Sequence, residues 1–331
     1  MSVLLDVQNL RVEIAARARA LVAIDDVSFS IPEGEILGVV GESGAGKSVT
    51  GTAILGLLER PAYMAGGRIL FAGARIDNLD DENMRVLRGR QIAAVFQDPL
   101  TSLDPLMTIG RQLVETMLTH LPVTRAQAFE RAQLLLAEVG IPAPRERLES
   151  YPHELSGGMR QRVVLALAFC CEPRLIIADE PTTALDVSIQ AQVLDLLKRM
   201  CRERGTAVML VTHDMGVIAE TADRVAVMYA GRLVEIGPTA DLLRAAAHPY
   251  TQGLMASIPT MRRRRDDELL QIPGSMPRPD APVSGCAFHP RCPQALDRCR
   301  TERPPSFAVG TSLAACWLVD GGARPMPGRR L

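Results

Sequence analysis

Aromatic side chains are scarce in this sequence: one Trp, four Tyr and seven Phe make up 4% of 331 residues. The core must therefore come from aliphatic side chains, and an apolar fraction of 47% is ample for that. A charge excess is missing too. Lys and Arg (37) balance Asp and Glu (38), which leaves a net charge of −1 and no electrostatic footprint for nucleic acid. The one basic run, Arg262-Arg263-Arg264-Arg265, is followed at once by Asp266, Asp267 and Glu268 and reads as a solvated linker or surface helix. No run of about 18 apolar residues occurs, so no segment is expected to span a bilayer. The opening "MSVLLDVQNLRVEIAARARA" has no signal-peptide pattern, because Asp6 and Glu13 interrupt any apolar stretch. An odd cysteine count with an adjacent pair, Cys170 and Cys171, speaks against a secreted disulfide framework. No internal repeat is visible. These absences point to a cytosolic chain of one large domain with an appendage, or of two domains.

Against them stands "EILGVVGESGAGKSVTGTAILGLL". An apolar strand, Ile36 to Val40, leads into Gly41-Glu42-Ser43-Gly44-Ala45-Gly46-Lys47-Ser48, which matches G-x-x-x-x-G-K-[ST], and a helix follows from Val49 onward. The glycines let backbone N–H groups turn inward around phosphate oxygens, and the positive helix end behind them favours the anion. Lys47 is the candidate for the β- and γ-phosphates of ATP, and the Ser48 hydroxyl for Mg²⁺. "PRLIIADEPTTALD" supplies a second element: a short buried strand, Leu175 to Ala178, ending in two carboxylates. Asp179 suits the Mg²⁺ shell, and Glu180 suits a general base for the attacking water.

The stretch "YPHELSGGMRQRVVLALAF" narrows the class. Ser156, Gly157 and Gly158 sit where an apolar helix begins, with Gln161 inside its first turns, so the chain carries a second phosphate-facing helix N-terminus. This stretch resembles the LSGGQ signature of the ATP-binding-cassette (ABC) superfamily, with Met159 in the last position. The resemblance implies that the second cradle closes over ATP held by a partner subunit. Further residues fall where that family places its motifs: Gln97 in "AAVFQDP" at the Q-loop, where it would also reach Mg²⁺, Asp186 in "TALD" at the D-loop, and His213 in "VMLVTHD" at the switch histidine. One departure stands out. The family places an aromatic side chain near position 18 to stack on adenine, but no aromatic occurs before Phe29. Arg17, Arg19 or an aliphatic residue such as Val22 is left for that role.

The implied fold is α/β: a P-loop NTPase (RecA-like) core with an antiparallel β layer, a helical subdomain and a small Cys-rich C-terminal extension. Period-two patterns at Leu5/Val7 and Val27/Phe29/Ile31 fit the β layer, and strands alternating with helices imply a parallel sheet. The cassette is expected over residues 1–258, with its helical subdomain at about 99–156, and the extension over 259–331. "DPLTSLDPLMTIG", just after Gln97, is the expected landing surface for a membrane subunit. "RVAVMYAGRLVEIGP" reads as a hairpin turning near Ala230-Gly231. A connector rich in proline and charge precedes the tail.

Four of the seven cysteines, Cys286, Cys292, Cys299 and Cys316, fall in the tail. Clustered thiols in a reducing compartment suit tetrahedral zinc or an iron–sulfur cluster, although no close ligand pair of the usual zinc spacing occurs. His289, before a proline, reads as a turn residue, and Cys170, Cys171 and Cys201 read as small core residues. "AAAHPYTQGLMASIP" followed by "GCAFHPRCPQALDRC" resembles the C-terminal region of oligopeptide/dipeptide importer ATPases, and that resemblance implies a [4Fe–4S] cluster, with zinc, or thiols that bind no metal, as the alternatives. It also implies an ATPase subunit at the cytoplasmic face of the cell membrane that powers peptide import. Its partners would be a second ABC ATPase subunit (a paralogue), two transmembrane permease subunits and an extracytoplasmic substrate-binding protein, with no nucleic acid. Import of nickel or glutathione-like cargo, or a soluble ABC ATPase uncoupled from transport, are the alternatives.

Overall fold

The computed structural model describes residues 2–17, 19–182, 186–257 and 271–321. Ala18, most of the "TALD" stretch (183–185), the arginine run at 262–265 and the connector up to 270 lie outside the described residues. The strands are β1 (Val3–Ile14), β2 (Leu21–Pro32), β3 (Ile36–Val40), β4 (Ala62–Phe71), β5 (Ala74–Arg75) and β6 (Ile92–Val95). After them come β7 (Leu175–Asp179), β8 (Ala207–Thr212), β9 (Arg224–Tyr229), β10 (Arg232–Pro238), β11 (Phe307–Val309) and β12 (Ser312–Ala314).

One sheet has the order β2-β1-β4-β5. The expected alternation buries Leu5 and Val7 on β1 and Val27, Phe29 and Ile31 on β2. On β1 the buried face then slips by one residue to Leu10 and Val12, and Asn9 between them takes a positive φ of 49°. A strand whose side chains alternate can keep one face buried past an irregularity only by absorbing such a residue.

The chain divides into two compact units. The first comprises residues 1–5, 30–36 and 70–211. Its strands β8, β7 and β6 are parallel neighbours, with Ala178 opposite both Leu210 on β8 and Val95 on β6. Such strands are covered on both faces, which is why β7 and β8 are near-continuous apolar runs. Residues 99–156 of this unit are largely helical, as expected. Helix Ile109–His120 starts where Thr108 accepts from the Arg111 N–H, and it buries Ile109, Leu113, Val114 and Met117. Helix Arg125–Glu138 opens with a capping box between Thr124 and Gln127. Each such cap contributes about 1 kcal/mol and fixes where the helix begins.

The second unit comprises residues 6–29, 37–69 and 212–331. Its strands run β11-β12-β10-β9-β3. β3 and β9 are parallel, and β9 and β10 form the expected antiparallel hairpin. Ala230 (φ 47°) and Gly231 (φ 75°) turn it, the two left-handed residues that a tight hairpin of this hand requires. A side chain at position 231 would also meet the Ala23 carbonyl oxygen at 2.4 Å. The tail adds to this sheet: β12 pairs antiparallel with β10 (Glu235 opposite Ala314), and β11 pairs with β12. Cys170, Cys171 and Cys201 are buried core residues, as expected.

Helix Pro249–Ala256 begins at a buried histidine. His248 Nδ1 accepts from the Tyr250 N–H at 3.0 Å, so its ring is neutral, and burial holds its pKa at about 3. Beside it the buried Glu235 carboxylate accepts from the Ala247 and His248 N–H groups at 2.7 and 3.0 Å. Between pH 7 and pH 5 the unfolded imidazole takes up a proton that the folded one refuses. Folding stability should therefore fall by about 2 kcal/mol over that interval from this group alone. Desolvation raises the Glu235 pKa, which works in the opposite sense, but Glu235 stays in a His248→Gln variant. That variant should lose part of the pH dependence of the thermal midpoint followed by circular dichroism; an unchanged dependence would refute the assignment.

Candidate functional site

The strand β3 delivers the phosphate loop. All five of its residues are buried, and the chain turns at Gly41, where a side chain would meet the Met228 carbonyl oxygen at 2.2 Å. Helix Lys47–Ile54 opens directly behind the loop. Lys47 is 5% exposed, and its Nζ donates to the Gly41 and Glu42 carbonyls at 2.8 and 3.1 Å, so the ammonium is drawn across the loop's own concavity. Ser43, Gly44 and Ser48 are exposed, while Ala45 is buried and Val49 half-buried. A lysine ammonium, a serine hydroxyl and backbone amides at a helix start are the donor set of a Mg–polyphosphate site. Two amides of the stretch are committed elsewhere: Ala45 N–H donates to the Glu42 carbonyl, and Glu42 N–H donates to Tyr250 Oη at 2.9 Å. His213, exposed directly after β8, belongs to the same unit, and its neighbour Asp214 caps helix Met215–Thr221.

In the first unit, parallel pairing sets the ends of β6 and β7 side by side, and the residues that follow them meet. Gln97 Nε2 donates to Glu180 Oε2 at 3.0 Å. Glu180 holds a left-handed backbone, φ 46°, with its N–H on the Val211 carbonyl at 2.8 Å. A non-glycine residue in that region is uncommon and costs about 1 kcal/mol or more, so the surroundings must enforce it. Asp179, half-buried, ends β7. Crevices beyond the carboxyl ends of parallel strands are where open α/β sheets hold ligands.

The third element also lies in the first unit. Ser156 caps helix Gly157–Phe169, its Oγ accepting from the Met159 N–H at 3.4 Å, and Ser156 and Gly157 are exposed. A side chain at Gly158 would meet Ile189 at 2.8 Å, so glycine is what lets this helix approach helix Val187–Arg204, which begins after the exposed Asp186. Gln161 is placed differently from its neighbours. It is 1% exposed, packed on the buried face, and its Nε2 has no hydrogen-bond partner among the described residues. It does not present itself with Ser156 and Gly157.

Comparisons with known proteins agree with this arrangement. The ABC transporter family profile matches residues 24–183, and that of the oligopeptide/dipeptide transporter C-terminal region matches residues 234–299. The dipeptide transport ATP-binding protein DppD of Bacillus subtilis is 46% identical over 97% of this chain and 96% of its own length. The oligopeptide transport ATP-binding protein OppD of Salmonella typhimurium is 45% identical over 96% and 94%. The chain belongs to the ABC peptide-transporter ATP-binding proteins. Among solved structures, an ATP-binding cassette dimer in a post-hydrolysis state bound to ADP and Pi matches this ABC protein with a TM-score of 0.64 at 26% identity, over 71% of this chain and 98% of that one.

The C-terminal extension of this ABC protein is built onto its phosphate loop, which sequence reasoning did not anticipate. Arg291, 7% exposed, places Nη1 2.9 Å from the Glu42 carboxylate and 3.3 Å from Tyr229 Oη. Its Nε and Nη2 donate to the carbonyls of Pro273 and Ile272. Tyr229, Tyr250 and Phe288 pack together with ring centroids 4.6–5.4 Å apart, so three of the few aromatic residues gather at this junction. Arg303 of the tail also reaches Asp25 on β2, at 3.3 Å, beside Arg232 and Arg11. Burial raises the Asp25 pKa, but the Arg232 hydrogen bond and the charges of the three arginines outweigh it and hold the carboxyl below its usual range. The only sequence signal for Arg291 was its place between two of the cysteines.

The four tail cysteines converge without forming a ligand set. The Cys286 N–H donates to the Cys299 carbonyl at 2.9 Å, and Cys316 lies within electrostatic reach of the other three thiols. Burial pushes the thiols of Cys286 and Cys292 up, and that of Cys316 to about 12. Among the described residues no three His, Cys, Asp or Glu side chains are arranged to hold a metal ion, so the expectation of a [4Fe–4S] cluster or zinc gains no support from this arrangement. His289 turns its Nδ1 to the Cys286 carbonyl at 3.0 Å, in keeping with a turn residue.

Proposed function

We propose that this ABC protein binds and hydrolyses Mg–ATP with Glu180 as general base, and that hydrolysis drives peptide import through membrane subunits. The observation that carries the reading is the Gln97–Glu180 hydrogen bond at the carboxyl ends of β6 and β7, with Glu180 held in a strained backbone. A carboxylate fixed in this way is positioned to take a proton from water, and an amide touching it can report its state. Lys47 and the amides of the phosphate loop would hold the β- and γ-phosphates. Ser48, Asp179 and Gln97 are the candidate ligands for Mg²⁺, which would neutralise charge on the phosphate oxygens. His213 would contact the γ-phosphate. Ser156, Gly157 and Gly158, with Asp186, would face ATP held by a second ATPase subunit, so each complete site needs two subunits. The peptide cargo follows from what the relatives are named for, and the extracytoplasmic binding protein and a paralogous partner follow only from the resemblance to peptide-importer ATPases.

The Glu180→Gln variant keeps an acceptor for Gln97 but loses the base. ATP binding should persist while turnover drops by about 100-fold or more, read by phosphate release and nucleotide titration. Undiminished turnover would remove Glu180 from the role.

No described helix is long and apolar enough to cross a membrane, and the proposed import requires partners that do. The stretch after β6 offers a surface for them: Phe96, Leu100 and Leu106 are 44%, 55% and 84% exposed, which is unusual for large apolar side chains so close together in sequence. Leu106→Asp should abolish co-purification with the permease subunits in detergent and leave ATP binding intact. Retained co-purification would place the docking surface elsewhere.

We infer a metal on Cys286, Cys292, Cys299 and Cys316 from the resemblance of the tail to peptide-importer ATPases alone, the matched C-terminal region taking in the first three of these cysteines. Anaerobically purified protein should then carry about four irons and four sulfides per chain. Protein free of both iron and zinc, with all four tail thiols titratable, would end that reading.

A further inference from the structure

We propose that the base of the bound nucleotide sits in a cleft built jointly by the start of β2 with the residues just before it and by the C-terminal extension, so that the extension is part of the nucleotide site. The starting point is the missing aromatic: no aromatic side chain occurs before Phe29. Against Arg19, Ala20 and the start of β2 the structure has a cleft of about 190 Å³. Val22 and Ala23 line it together with Gly44 of the phosphate loop and with Pro277, Pro279 and Val283 of the extension, and charged side chains, Asp25 and Arg278 among them, also border it. That volume suits a single heterocycle and is below that of a pocket for a drug-sized ligand.

Three contacts fix the extension's side of the cleft. Arg19 Nη2 donates to the Asp280 carbonyl at 2.6 Å and ties the two segments together. Met276 Sδ accepts from the Ala230 N–H at 3.3 Å, and its methyl group lies 3.2 Å from where a side chain on Gly44 would begin. Arg291 holds the same segment through the carbonyls of Ile272 and Pro273 while it pairs with Glu42. The cleft and the phosphate loop are therefore positioned by one piece of chain.

The chemistry fits a planar base. Proline rings and valine methyls present C–H surfaces to a heterocycle and gain dispersion and apolar burial there. Prolines also lose little backbone freedom when a ligand orders them. Aliphatic surface from the start of β2 and from the extension thus takes the place of one aromatic ring.

The proposal rests on the reading that residues 41–48 hold the triphosphate, and the test separates the two. Mg–ATP and Mg–tripolyphosphate, which shares the phosphates but has no base, are titrated calorimetrically into the full chain. Val22→Asp and Val283→Asp should each weaken ATP by about tenfold or more and leave tripolyphosphate within about twofold. An equal change for both ligands, or none for either, overturns the base cleft. Lys47→Ala should weaken both ligands together; if it affects neither, the phosphate reading fails and the proposal with it. Hydrogen exchange on the unaltered protein needs no variant to fold: ATP, but not tripolyphosphate, should slow exchange over residues 277–283. Equal protection by both, or by neither, counts against the cleft.

Discussion

The pairing of the buried Arg291 guanidinium with the Glu42 carboxylate is the contact on which the organisation of the second unit turns. A guanidinium that is 7% exposed must find acceptors for its donors, and here they are one carboxylate, two backbone carbonyls and a phenol. Removing a partner from such a group leaves a buried donor unsatisfied, at a cost of about 1–3 kcal/mol. Satisfying it has a structural consequence. The carbonyls of Ile272 and Pro273 must come to the phosphate loop, so the chain beyond residue 271 folds back over the loop instead of hanging from the cassette. Tyr250, whose Oη accepts from the Glu42 N–H, and Phe288 then complete an aromatic cluster around Tyr229. A chain poor in aromatics places three of them where the tail meets the nucleotide site.

A different constraint governs the first unit. Parallel registry between β6 and β7 brings their carboxyl ends level, and whatever follows those ends is forced together. Gln97 and Glu180 are neighbours for that reason, although 83 residues separate them along the chain. The left-handed backbone at Glu180 is a local strain that the Val211 carbonyl and the sheet hold in place. The same logic applies to the signature helix: Gly158 is small because Ile189 is close, and Ser156 is exposed because the helix begins there.

Much of this was legible in the sequence, for identifiable reasons. The loop Gly41–Ser48, the carboxylates after β7, the Ser156 cap and the Ala230-Gly231 turn are local: spacing, capping chemistry and backbone sterics decide them within a few residues. The helices of residues 99–156 were legible as a helical stretch, while the caps at Thr108 and Thr124 came from the structure. Gln161 misled because a motif position says which residues are near, not which way each one points, and burial turned this one inward. The cysteines were legible as a cluster. Their side-chain arrangement was not, because four residues spread over a 31-residue span can converge in several ways, and spacing does not choose among them.

The sequence by itself determined the phosphate loop, the order of the catalytic elements and the family, because each is written in contiguous residues whose chemistry permits few alternatives. Only the tertiary structure decided that Gln97 bonds to Glu180, that β12 extends the edge of β10, and that Arg291 carries the tail onto Glu42. These contacts join residues far apart in the chain, and they follow from sheet register and from the need to satisfy buried polar groups. Neither constraint can be read from the chain before it closes on itself.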